Sequence, residues 1–250
     1  LRIKLIKSYS NWIYQRPYHG AIGLAITLIL PFSIIFGGAT FISLSLNYKN
    51  INVIKQCVIA VSGLFLLGLV INITAYEIFI TALMTWLPAL ILVKILQHTR
   101  SFILTIQISA IASIFLLVLF YVVVDDPSFF WGEVIVNLSE SLVQNGLTEQ
   151  ANLISNQSGS ISKQMTILMI VMTWSLYAIV LILGCAIYNT SSLEVFDYGR
   201  FSNLNFGRFF AIITAISSLL LFVFDLEWLM NLAYLCFLFF WLQGLSLIHW

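Results

Sequence analysis

The chain alternates long apolar runs with short polar joints, and this pattern predicts its elements before any single residue is considered. Runs at 51–73, 78–97, 102–124, 165–188, 209–224 and 228–250 each read as a membrane pass. About twenty apolar residues rising 1.5 Å apiece cover a hydrocarbon core of about 30 Å. Most joints are brief: Tyr48-Lys49-Asn50, Asn72 to Glu77, and His98-Thr99-Arg100. One hydrophilic stretch, 125–164, is long. It opens Asp125-Asp126-Pro127, where Asp126 suits a helix cap and Pro127 a first turn. Phe130, Val134, Leu138 and Leu142 then recur every four residues among Glu133, Asn137, Glu140 and Ser141, which predicts an amphipathic helix stopped by Gly146. A polar stretch from Asn152 to Gly159 leads to the next pass.

The run from Gly20 to Asn47 decides the orientation of everything after it. Pro31 breaks it near the middle, and Gly37-Gly38 loosens it again. As one helix it would be about 42 Å long. That is long for one crossing and short for two, so two passes must be short or form a re-entrant hairpin shielded by other helices. Basic residues collect on the cytoplasmic side of short loops. Two passes with an inner N-terminus place Arg2, Lys4, Lys7, Arg16, Lys49, Lys55, Lys94, Arg100, Arg200 and Arg208 inside and leave Lys163 outside, accounting for all 11 Lys and Arg. A single pass would set the first four against the other six and erase the bias. The expected fold is therefore an all-α polytopic transmembrane helix bundle of about eight passes, beginning with a short broken hairpin over 20–47. Both ends of the sequence fall on the cytoplasmic side. Residues 1–19, basic and aromatic, suit a helix or arm on an anionic leaflet. Residues 125–164 become an extracytoplasmic amphipathic loop, and 1–250 reads as a single integral membrane domain.

Composition agrees with this layout. Of 250 residues, 61% are hydrophobic and 8% charged, where globular chains carry about 25% charge. Mean hydropathy is +1.02. The net charge of +1 and the absence of a like-charged block give no footprint for nucleic acid. Cys57, Cys185 and Cys236 stand far apart in apolar runs and read as small buried hydrophobes, not as a disulfide or metal site. The N-terminal segment lacks the small-residue cleavage site of a signal peptide. Leu1 in place of Met suggests an alternative start codon or a trimmed fragment. Trp250 ends the sequence inside an apolar run, so a continuation is expected.

Chemistry is sparse. There is no phosphate-binding glycine loop, metalloprotease motif, nucleophile elbow or carboxylate pair within one span. No catalytic, cofactor-binding or metal-ligating residue is assigned, and no cofactor is expected. Ionisable groups within a membrane are candidates by default. Glu77 sits at a helix start, where its charge favours the helix dipole. Lys94 lies near a helix end and can snorkel to the interface. Asp225 and Glu227 share an outer turn, read as solvated. His19, His98 and His249 are isolated. Buried amides need partners, so Gln107 and Gln243 either bond a neighbouring helix or line a cavity. Trp86 with Pro88 marks a packing kink or an aromatic pocket wall. Trp86, Gln107 and Gln243 are the cavity-lining candidates. Phe196, Arg200, Phe201 and Arg208, in a loop of interleaved aromatics and arginines, are candidates to face a protein partner.

Several stretches carry a resemblance. They are the Pro31 break, the joint Asn47-Tyr48-Lys49-Asn50, and Thr85-Trp86-Leu87-Pro88-Ala89-Leu90 running on to His98-Thr99-Arg100-Ser101. The loop Phe196 to Arg208 and the stretch Leu242 to His249 add to it. On these the chain resembles the YybS-like family of bacterial polytopic membrane proteins, over nearly its whole length. That family is distantly similar to the membrane-embedded, substrate-binding S components of energy-coupling-factor transporters, whose first helix meets the transport partner through small residues. Ala21 and Ala25 have that spacing here, as do Ala211 and Ala215. The resemblance implies a bacterial cytoplasmic-membrane protein that is transport-related or binds a small molecule, without catalysis. Its partners would be the lipid bilayer and a small-molecule ligand or membrane protein. The alternative is a membrane scaffold or assembly factor that holds proteins through its loops.

Overall fold

The computed structural model describes residues 2–71, 74–191, 205–224 and 226–248, and every element among them is a helix. In order these are α1 (Arg2–Gln15), α2 (Pro17–Ile29), α3 (Ser33–Asn47), α4 (Asn50–Ile71), α5 (Ala75–Thr99), α6 (Phe102–Val123), α7 (Pro127–Gln144), α8 (Thr148–Asn156), α9 (Ser158–Ser191), α10 (Gly207–Leu221) and α11 (Glu227–Ile248). α5, α6, α9 and the Asn50–Leu69 part of α4 are long and apolar enough to cross a membrane. α2, α3 and the Phe210–Leu221 part of α10 are shorter apolar helices. The chain divides into two compact units: 1–105 with 175–199, and 106–174 with 200–250.

In the first unit the broken run becomes two helices. Leu30, preceding Pro31, is extended, the conformation a residue before proline prefers, and Phe32 adopts the left-handed conformation at φ 63°. α2 packs on α3 and α4, and α3 packs on α5. α2 is about 20 Å long and α3 about 22 Å, both less than a hydrocarbon core. Gly37 and Gly38 do not loosen α3, which runs unbroken through them. They let neighbours come close: a Cβ on Gly37 would meet Thr85 Cγ2 at 3.0 Å, and one on Gly38 would meet Val180 Cγ1 at 2.7 Å. α1 is more than a surface arm. Ser10 and Ile13 are fully buried, and Ser10 Oγ donates to the Ile187 carbonyl at 2.7 Å. Tyr9 shares a hydrogen bond with Thr40 at 2.8 Å, and Tyr14 bonds Ser43. Burial pushes the Tyr14 phenol up to about 12 and also raises Tyr9, despite the opposing hydrogen bonds. Both therefore stay neutral at ordinary pH and keep their hydroxyl protons.

Capping sets the helix starts. Thr74 accepts from the Glu77 N–H and Glu77 accepts from the Thr74 N–H, a capping box that opens α5. Asp126 accepts from Phe129 N–H at 3.0 Å and opens α7. α7 packs through a narrow face. Ile135 is buried and Trp131 is half-buried, while Phe130, Val134 and Leu138 are exposed. A strict four-residue repeat drifts about 40° per step around a helix of 3.6 residues per turn, so Phe130 to Leu142 winds through about 120° and is not one face. The polar stretch after Gly146 is also helical. α8 ends at Asn156 and α9 begins at Ser158, and α9 runs some 51 Å without a break.

Candidate functional site

α5 supplies one wall of the first site. Ala82, Trp86, Leu90 and Lys94 line it opposite Phe41 and Ser45 of α3 and Asn50, Val53, Cys57 and Val61 of α4. Together they line a groove of about 590 Å³. The Trp86 ring stacks on Phe41, with centroids 6.2 Å apart and planes 17° apart. The indole Nε1 of Trp86 is buried and has no acceptor among the described residues. Lys94 is exposed and makes no ion pair among the described residues. The groove is thus apolar along its length, with one unused donor midway and one cation at an end.

Pro88 shapes this wall. A proline inside a helix cannot donate to the carbonyl four residues earlier. The bereft carbonyl belongs to Met84, and the hydroxyl of Tyr177 on α9 donates to it. The proline is therefore a site where another helix attaches.

The second unit holds a polar network that no sequence pattern had singled out. Asn231, fully buried in α11, donates through Nδ2 to Tyr121 OH on α6 at 2.5 Å and to the Lys163 carbonyl on α9 at 3.2 Å. Lys163 Nζ lies 3.5 Å from Glu227, whose other oxygen accepts from Ser128 of α7 at 2.5 Å. Trp131 Nε1 donates to Thr166 at 2.8 Å. Glu227 is thus paired instead of simply solvated, although an exposed ion pair contributes little stability. A visible hint existed, since loop charge alone had put Lys163 and Glu227 on the same side. Asn231 gave no signal within its apolar run. This network joins four helices. Its one leftover polar atom, Asn231 Oδ1, is buried with no partner among the described residues.

The sequence candidates distribute as follows. Trp86 lies in the first unit's groove. Gln107 and Gln243 belong to the second unit, and each hydrogen-bonds backbone outside the helices. Gln107 Nε2 donates to the Asn205 carbonyl, and Gln243 Oε1 accepts from Phe206 N–H at 2.9 Å. Both amides clamp the backbone that leads into α10, where Phe206 packs against Phe210 and Phe239. Arg208 is exposed in the first turn of α10. Phe196, Arg200 and Phe201 lie outside the described residues, as do Asp225 and His249. Among the described residues no three His, Cys, Asp or Glu gather into a metal-binding group. Compared with family models, curated proteins and solved structures, the chain matches none.

Proposed function

We propose that this chain is a bacterial inner-membrane protein, related to the YybS-like family, that holds a small apolar or amphipathic molecule without catalysis. The observation that carries the reading is the Trp86 groove: apolar walls, a volume of about 590 Å³, and few polar groups. Ligand sites have this size and make-up. An occupant would place an oxygen at the unused indole N–H of Trp86. The distant similarity to transporter S components fits a binding role, but it is an analogy of folds and weighs less than the groove. Native mass spectrometry of the full-length protein, released from mild detergent, is expected to find a retained molecule. Trp86→Ala should reduce its occupancy several-fold. Wild-type protein that carries no adduct, and whose Trp86 fluorescence no added amphiphile changes, would refute the assignment.

In this reading the chain makes about eight passes with its N-terminus in the cytoplasm, and the positive-inside distribution is the support. A cysteine at Lys49→Cys, in a chain whose native cysteines are replaced by alanine, is expected to resist a membrane-impermeant maleimide in intact cells and to react after lysis. Labelling from outside would reverse the orientation. One observation favours a scaffold as the second reading. α7 exposes Phe129, Val136 and Val143, seven residues apart along one side. Proteins that co-purify and are lost on Phe129→Ser/Val136→Ser would support it.

A further inference from the structure

Resting on the binding role of the Trp86 groove, the geometry points to a specific occupant: we infer that an anionic phospholipid of the surrounding leaflet lies there, its phosphate at Lys94 and an acyl chain along α4 and α5. Access comes first. Ile54, Val58 and Leu87 line the groove and are half or more exposed. In a chain with membrane-spanning helices such a face meets hydrocarbon, so the occupant arrives from the bilayer. Length comes next. Leu83 and Lys94 both line the groove, and eleven residues of helix rise about 16 Å. One leaflet's share of a core of about 30 Å is about 15 Å. A lipid chain in one leaflet therefore fits between them.

Charge selects the headgroup. Lys94 is the single charged residue lining the groove. It makes no ion pair among the described residues. Asn50 and Ser45 line the groove as well and add hydrogen-bonding capacity. α4 and α5 are joined by a short connection and pack together, so the start of α4 lies toward the Lys94 end of α5. Lys49, just before α4, and Lys55, in its second turn, raise the local positive charge. A zwitterionic headgroup brings its own cation into this field, whereas a net anionic one does not.

The test uses the full-length protein in vesicles of phosphatidylcholine and phosphatidylglycerol, with brominated acyl chains on one lipid at a time. Subtracting the fluorescence of Trp86→Phe isolates the quenching of Trp86 from that of the other tryptophans. Brominated phosphatidylglycerol is expected to quench Trp86 with about five-fold higher apparent affinity than brominated phosphatidylcholine, the effect of roughly one lysine near the membrane surface. Lys94→Gln should bring the ratio close to one. Lys94→Arg should keep it, which separates charge from any packing defect, and Arg208→Gln should also leave it unchanged. Equal quenching by both lipids in the wild type means ordinary boundary lipid and overturns the inference. So does a preference that survives Lys94→Gln. If quenching is equal but native mass spectrometry still finds a retained non-lipid molecule, the inference alone fails and the binding role stands. If neither lipid quenches Trp86 and nothing is retained, both fail.

Discussion

Gly184→Ala is expected to be among the most damaging single-methyl substitutions in this chain. A Cβ at Gly184 would lie 2.7 Å from both Cβ and Cγ2 of Ile42 and 3.1 Å from the Ala39 carbonyl oxygen. Ile42 is fully buried and its Cβ is fixed to the backbone, so no side-chain rotation relieves the clash. α3 and α9 must move apart. Overpacking of this kind costs about 1–3 kcal/mol, and the upper end is expected here because both collisions involve rigid atoms. The control is built in. Gly132, inside α7, has nothing within 4 Å of its would-be Cβ, so Gly132→Ala should be neutral or should stabilise by up to about 1 kcal/mol through helix propensity. Gly38→Ala should fall between them, since it meets mainly the γ-carbons of Val180, which can turn. Thermal unfolding in detergent, followed by loss of monodisperse protein, orders the three. A Gly184→Ala protein as stable as wild type would show that α3 and α9 do not pack as described.

The second large effect concerns a pair. Tyr177→Phe leaves the Met84 carbonyl with no donor, because Pro88 cannot supply one. A backbone carbonyl left without a donor in hydrocarbon is costly, and hydrogen bonds between membrane helices reach about 1.7 kcal/mol. A loss of about 1–2 kcal/mol is expected. Pro88→Ala restores a backbone N–H within the same helix, so in that background Tyr177→Phe should be nearly silent. The coupling energy from the four-protein cycle is the readout. If Tyr177→Phe costs the same in both backgrounds, the hydroxyl serves some purpose other than replacing the proline's missing donor.

These two cases also show where the sequence is readable. Signals confined to a few residues were legible. Asp126-Pro127 announced the start of α7, and Glu77 announced the start of α5, because caps act across three positions. The Pro31 break separated α2 from α3 for the same reason. What failed depends on distant partners. Gly37-Gly38 looks like a weak point until Thr85 and Val180 are placed against it. Pro88 suggests a kink, but nothing nearby in the chain names Tyr177 as the donor that answers it. Asn231 is one amide in an apolar run, and its importance comes from Tyr121 and Lys163 on other helices. Trp86 stands out in the sequence as an aromatic near a proline, while the groove it belongs to needs Phe41 and Cys57 to be brought alongside.

The hydrogen bond from Ser10 to the Ile187 carbonyl joins residues 177 positions apart. At about 5–20 residues per second of synthesis, roughly ten to thirty-five seconds separate the making of its two ends. For that interval the nascent first helix has no seat. In the proposed orientation, the basic residues Arg2, Lys4 and Lys7 of its sequence would give it another resting place, on an anionic membrane surface. On that proposal the basic arm read from sequence and the packed helix of the finished protein would be two stages in the life of the same segment, the first kept by charge until the second can form.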